Sequence, residues 1–359
     1  VFRPPSPSAF VRVVIPARDE ASTITSALDA LRLQIDCCGY PLEPDSYEVT
    51  VLANNCQDAT ADVVREYGTR YPTFRLRVRD QQFPPDRANI GTARRTLMDE
   101  ACERFEPEGR DGIVASTDAD TCVAPDWIAS TLRAFENGAE AVGGRILLSS
   151  ESLERLDPTL RALYLRDTGY RILIANLEAR VDPVLFNPYP RHHQFFGASM
   201  AVRCSVYRRA GGIPTVETLE DMAFFRALTG IDARVRHSPS VRVTTSGRLD
   251  GRVELGLSTQ LGEWAEAARN GIPRIEEPVA RSLKRMELVR DRRCAWMRQG
   301  PFAGFETFGS YLHSVETEIE EQVQAAVPYV PVLLEQVIQD ARVESARRSN
   351  RSSRYVSSR

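Results

Sequence analysis

Lysine is almost absent: this chain of 359 residues holds one, Lys284, against forty-five arginines. The imbalance points to genomic base composition more than to function, yet it excludes any mechanism needing a catalytic lysine before residue 250. Histidine is nearly as scarce, at positions 192, 193, 237 and 313. The seven cysteines are odd in number, with Cys37 and Cys38 adjacent and no Cys-x-x-Cys spacing. That usage argues against a disulfide framework or a zinc site and fits reduced thiols in a cytoplasmic protein. No apolar run approaches the ~20 residues of a membrane span, and the N-terminus has no signal-like pattern. A net charge of -3 gives no polyanion-binding signal, so nucleic acid is not an expected partner. The 42% hydrophobic content suffices for one large core plus an appendage.

A repeated unit is present. Val11-Arg12-Val13-Val14-Ile15 stops at Pro16 and leads through Ala17-Arg18-Asp19-Glu20 into apolar positions Ile24, Leu28 and Leu31 at helical spacing. Tyr47 to Ala53, then Asn54-Asn55-Cys56-Gln57-Asp58-Ala59-Thr60 and a helix through Val63 and Val64, repeats it. Strand-then-helix rhythm with near-continuous apolar strands predicts a parallel sheet covered on both faces. Ligands on such sheets bind outside the carboxyl ends of the strands, where Arg18, Asp58, Asp118 and Asp120 fall.

The third apolar run, Ile113-Val114-Ala115, ends in Ser116-Thr117-Asp118-Ala119-Asp120. Two carboxylates spaced i, i+2 at a strand end can present oxygens to Mg²⁺ or Mn²⁺, hard cations that share their shell with substrate phosphates. A nucleoside diphosphate is the first ligand to consider. The plain alternative is Asp as a strand-end or capping residue.

Taken in order, Val13-Val14-Ile15-Pro16-Ala17-Arg18-Asp19-Glu20, Asn54 to Thr60, Asp118-Ala119-Asp120, Glu220-Asp221 and Thr245-Ser246-Gly247-Arg248 resemble the family 2 glycosyltransferases with the GT-A fold, over about residues 10 to 250. The resemblance implies a metal-dependent glycosyltransferase that moves a sugar from a UDP- or GDP-sugar to an acceptor hydroxyl, with Mn²⁺ or Mg²⁺ bridging the diphosphate. By similarity, Asp120 ligates the metal and Asp118 sits by the donor ribose. Pro16, Ala17, Arg18 and Glu20 line the nucleoside pocket, with Asp58 near the base and Asn55 and Arg87 among the donor contacts. Asp221 is the general base of an inverting transfer and Glu220 its partner. Gly197, Ala198 and Ser199 form the acceptor segment, and Arg248 holds the leaving diphosphate.

Structural readings stand beside these. Asp58 suits a turn before a helix, Arg18 and Glu20 a solvated pair, and Glu220-Asp221 a helix start favoured by the macrodipole. Gly197 suits a tight turn, and the arginines of Asp86 to Arg95 a solvated basic helix face. In retaining relatives a histidine completes the metal shell, and Ser246 or Gly247 stands at the nearest place here. His237 reads as a strand-end residue, and His192-His193 as a surface loop or an acceptor-cleft wall.

The expected fold class is therefore α/β, a Rossmann-like GT-A domain over residues 1–250. A helical extension over 251–345 follows, with helices at 255–268, 279–298, 305–326 and 332–346, packing over the donor cleft or supporting a homodimer. A disordered Ser/Arg-rich tail covers 346–359. A haloacid-dehalogenase-like phosphohydrolase needs a downstream core lysine, and a nucleotidyltransferase a Gly-rich loop with a lysine; neither is present. Retaining enzymes of the mannosylglycerate or glucosyl-phosphoglycerate synthase kind share much of the motif order, and a non-catalytic nucleotide-sugar binding protein remains the alternative from another class.

Overall fold

The computed structural model describes residues 10–216, 218–247, 256–301 and 304–356. The repeated unit forms β1 (Val11–Ala17), α1 (Ile24–Arg32), β2 (Tyr47–Asn54), α2 (Thr60–Arg70), β3 (Leu76–Gln81) and α3 (Ile90–Glu103). Then come β4 (Ile113–Ser116), β5 (Thr121–Val123), α4 (Trp127–Glu136), β6 (Ala141–Leu148), α5 (Ser150–Arg155) and α6 (Pro158–Val181). β7 (Met200–Arg203), α7 (Cys204–Arg209), α8 (Glu220–Gly230) and β8 (Val235–Thr245) complete a sheet of order β3-β2-β1-β4-β7-β6-β8-β5. All its strands run one way except β7 and β5, so the expected α/β architecture with a mostly parallel sheet is present.

Every residue of β1 and β2 is buried, and alternate side chains feed two cores. Val13, Ile15, Val49, Val51 and Ala115 meet Ile24, Leu28 and Leu31 of α1 and Trp127 of α4 on one face. Val14, Leu52, Val114 and Val202 meet Leu97 and Met98 of α3 and Phe224 of α8 on the other. Each such aliphatic side chain contributes roughly 1.5–3 kcal/mol on burial, which pins the register because a one-residue slip would exchange the faces. The chain goes from β1 to β2 and β3 on one side and returns to the other at β4. The crevice between the loops after β1 and β4 lies at this topological switch point.

The remaining elements are α9 (Leu257–Arg269), β9 (Ile275–Glu276), α10 (Val279–Gln299), α11 (Phe308–Ser314), α12 (Glu316–Ala326), β10 (Val332–Leu333) and α13 (Leu334–Val356). The helix read over 305–326 is two, because Thr307 caps α11 through Ser310 N–H and the backbone turns at Val315 (φ -108°, ψ 11°). The last helix runs on to Val356, through most of the segment read as a disordered tail. Its buried Leu334, Val337 and Ala341 pack on α6, and Arg348 pairs with Glu344 one turn back and with Glu287 of α10. α6 is the spine of this region: Leu160 and Tyr164 pack with Leu261 and Trp264 of α9, and Tyr170 and Leu177 with α10 and α13. At the far end of α8, Asp232 accepts from the N–H groups of Phe308 and Gly309. Among the described residues, no helix is long and apolar enough to cross a membrane.

Candidate active site

β1 ends at a sharp turn in which Asp19 adopts a left-handed backbone (φ 53°). Its carboxylate accepts from the N–H groups of Gln57 (2.6 Å) and Asp58 (3.2 Å), while the Asp58 carboxylate accepts from those of Ala21 (3.0 Å) and Thr60 (2.9 Å). The loops after β1 and β2 are thereby clasped to each other. Asp19, Cys56 and Asp58 bring ligand atoms within 4.8 Å of one another, but their acids carry these backbone bonds. Asn55, also left-handed (φ 51°), exchanges two amide hydrogen bonds with the backbone of Phe83, at 2.9 and 3.0 Å. Pro16 and Ala17 are buried in the strand, and Glu20 is buried with its carboxylate on the Thr23 hydroxyl at the entry to α1. Arg18 is exposed and donates to Ala88 O (3.0 Å), next to exposed Arg87 in the turn Pro85–Arg87. Arg18 and Glu20 are thus not a solvated pair, because Glu20 is spent inside the loop.

The centre of the recess is a residue the motif reading passed over. Arg94 sits on the buried face of α3, its side chain 4% exposed. Nε donates to Glu220 (3.0 Å), Nη1 to Ser116 Oγ (2.6 Å) and Gly197 O (3.1 Å), and Nη2 to Asp118 (3.1 Å). One cation therefore joins the end of β4, the turn Gly197–Ser199 and the start of α8. Burial opposes its charge, but Asp118, Glu220 and Asp221 together hold it firmly protonated. A Cβ at Gly197 would lie 2.3 Å from the guanidinium carbon, which is why glycine stands there. No sequence feature marks it: that Gly91, one turn before Arg94, lies on a helix face touching the segment that leads into the acidic pair, where a Cβ would come within 2.7 Å of Val216 O, is known only from the packing.

Asp221 is held by two backbone donors, Gly197 N–H (2.9 Å) and its neighbour Met222 N–H (2.7 Å). Burial, then the charge of Glu220, push its carboxyl above the usual range. The preceding Leu219 is left-handed (φ 58°), a strained conformation for a branched side chain that aims the start of α8 at the recess. Asp118 is 34% exposed at its side chain, yet burial pushes it up to about 6 despite Arg94, with Asp120 and Glu220 acting in the same direction.

Asp120, two residues on, accepts from the Ser246 hydroxyl (2.8 Å) beyond the end of β8. Ser246, standing where some relatives carry a histidine, is thus beside Asp120. Three acids, Asp118, Glu220 and Asp221, act on the one cation Arg94, and Asp120 stands beside Asp118, an excess of negative charge that a divalent cation would offset. Two carboxylates and a hydroxyl are hard oxygen donors that leave part of a six-fold shell to substrate phosphate and water, so the residues fit Mg²⁺ or Mn²⁺.

Other expected residues fall elsewhere. Ser199 is fully buried and accepts from the Trp127 indole (3.1 Å), so this hydroxyl braces the sheet, and Ala198 is buried too. His192 is buried against Ser238 O (3.2 Å) and is no surface-loop residue, whereas adjacent His193 is exposed. His237 is buried within β8, with its ring on Asn187 (3.1 Å). Arg248 lies outside the described residues.

Residues 12–189 match the family model described as "Glycosyl transferase family 2". The chain is similar to the glycosyltransferase AglE of Haloferax volcanii, 26% identical over 192 residues that cover 51% of this chain and 57% of that protein, so it spans little more than half of that relative's length. Among solved structures it resembles the mannosyltransferase PcManGT from Pyrobaculum calidifontis in complex with GDP-Man and Mn²⁺, at a TM-score of 0.49 and 18% identity over 98% of this chain and 77% of that one. It also resembles S. aureus TarS 1-349 in complex with UDP-GlcNAc, at a TM-score of 0.46 and 13% identity over 94% and 89%.

Proposed function

We propose, from the match of residues 12–189 to the glycosyl transferase family 2 model, that the chain transfers a sugar from a nucleoside-diphosphate sugar to an acceptor hydroxyl with inversion, Asp221 acting as general base. The observation carrying this reading is Asp221 itself: a carboxylate fixed by Gly197 N–H and Met222 N–H, made more basic by burial, on the wall that also carries Asp118. Each oxygen accepts one backbone N–H, and each keeps a second lone pair for the acceptor O–H.

In the transfer, the acceptor oxygen forms its bond to the anomeric carbon as the bond from that carbon to the phosphate oxygen breaks. The hydroxyl proton passes to Asp221 and the bonding electron pair leaves with the nucleoside diphosphate. Glu220, bound to Arg94 at 3.0 Å, keeps α8 in place and adds the charge that raises Asp221. Asp118 lies at the donor side, oriented by the same guanidinium. Asp120 and Ser246 would hold a divalent cation, which supplies charge neutralisation at the diphosphate when bound. Arg248, two residues beyond Ser246, is the cation assigned to the departing phosphates, since an arginine fork suits an oxyanion.

The test is Asp221→Asn with the product's anomeric configuration read by NMR. The variant is expected to bind nucleoside diphosphate normally and to lose roughly two to four orders of magnitude in kcat, the usual worth of a general base. Retained configuration, or normal turnover by the variant, overturns the assignment.

A further inference from the structure

β7 pairs with β6 only as far as Gly143. Beyond that point the sheet splits, and the edge of β6 is closed by a side chain: Gln194 donates to Ile146 O (3.1 Å) and accepts from Ile146 N–H (2.9 Å). Gly143 permits this approach, because a Cβ there would stand 2.4 Å from Gln194 O. Arg145, two residues along the strand, points to the same face as Gly143. It is half-buried, its Nε is buried with no hydrogen-bond partner, and it makes no ion pair among the described residues. The acid on the facing helix, Asp167 of α6, is taken by Arg171 (2.7 Å) and Arg274 (3.4 Å). A buried N–H without an acceptor is costly, and the planar fork of a guanidinium matches an oxyanion.

His193 beside Gln194 is exposed, yet crowding by protein and then Arg171 push it down to about 4, so this imidazole is neutral near pH 7 and adds no charge of its own. Arg145 is also near enough to His192 and Tyr164 for its charge to act on both. The segment holding Gln194 runs on to the catalytic wall: Gln194 lies three residues before Gly197, whose N–H holds Asp221, with Phe196 extended between them (φ -125°, ψ 158°). Three residues of chain span at most about 10 Å, the reach of a small molecule.

We propose that Arg145 is an acceptor-recognition residue, and that the acceptor carries an oxyanion group, phosphate or carboxylate, seated on its guanidinium while the hydroxyl lies at Asp221. The idea rests on reading the recess as a transferase site, but the anion subsite can be tested without turnover. Inorganic phosphate and malonate are titrated calorimetrically, at fixed ionic strength, into the full chain and into Arg145→Gln, Arg145→Lys and Asp120→Asn.

Saturable binding is expected in the wild type, weakened about tenfold or more in Arg145→Gln, less in Arg145→Lys, and unchanged in Asp120→Asn. Binding that survives Arg145→Gln, or that only Asp120→Asn abolishes, overturns the proposal by placing the anion elsewhere. Glycerol phosphate in solution, against sedimentation with phosphatidylcholine vesicles doped with phosphatidic acid, distinguishes a soluble acceptor from a lipid headgroup; loss of either in Arg145→Gln supports the subsite and names its source. Mn²⁺-dependent binding of UDP and GDP by Arg145→Gln reports its fold and the donor site. Its absence in the wild type as well would count against the transferase reading while the anion titration stands.

Discussion

Arg94→Met tests the organisation of the site most severely. The substitution keeps much of the side-chain volume but removes a cation with four acceptors, two of them carboxylates, one of which, Glu220, is only 5% exposed. Removing one partner of a buried pair leaves an uncompensated charge and costs about 3–5 kcal/mol. Asp118, 34% exposed at its side chain, is the less costly of the two carboxylates to leave unpaired. At about 2–4 °C per kcal/mol for a chain above 150 residues, the apparent Tm should fall by roughly 10 °C at pH 7.5.

The sign of the pH dependence is set by the acids left behind. Asp118 stands at about 6 even with Arg94 beside it, so the folded protein binds a proton there that the unfolded chain, at 3.8, does not. Without Arg94 the folded value rises further, so the variant takes up a proton at higher pH and its deficit shrinks as pH falls from 7.5 to 5.5. Thermal unfolding of both proteins in chelator at these two pH values is the assay. An unchanged Tm at pH 7.5, or a deficit that does not shrink toward pH 5.5, would refute the reasoning; Arg94→Lys, keeping charge but not the fork, should fall between the two.

Asp120→Ala should abolish the Mn²⁺-dependent tightening of nucleoside diphosphate binding, and unchanged metal dependence by calorimetry would remove Asp120 from the metal site. Gly197→Ala places a Cβ 2.3 Å from the guanidinium carbon of Arg94, so it should lower stability by about 1–3 kcal/mol and kcat with it; a variant unfolding at wild-type denaturant concentration would show that the turn relaxes freely. Because burial raises the Asp221 carboxyl, the ionised base appears only above the usual carboxylate range, so the acid limb of kcat/KM should be displaced upward from that range and should vanish in Asp221→Asn.

The strand-and-helix rhythm was legible in the chain because it depends on local facts. Consecutive apolar residues in Val11 to Ile15 and Tyr47 to Ala53 need burial on both faces, and Ile24, Leu28 and Leu31 make one helical stripe. The acidic motifs were legible too, since a strand end followed by Asp118 and Asp120 is a pattern in sequence. The close of β8 against β5, which carries Ser246 to Asp120, joins residues 126 apart, and no local signal encodes that pairing.

Arg94 and Arg145 show the limit most clearly. In a chain with forty-five arginines, neither differs in sequence from those on the surface. What distinguishes them is what surrounds them: four acceptors converging on Arg94, and none reaching the buried Nε of Arg145. The order of strands and the chemistry of the motifs follow from residue types at short range, where propensity and burial act. Which arginine becomes the hub of the site, which acid is spent on a loop and which hydroxyl braces the sheet depends on charges and hydrogen bonds between segments a hundred residues apart, and only the packed tertiary structure decides that.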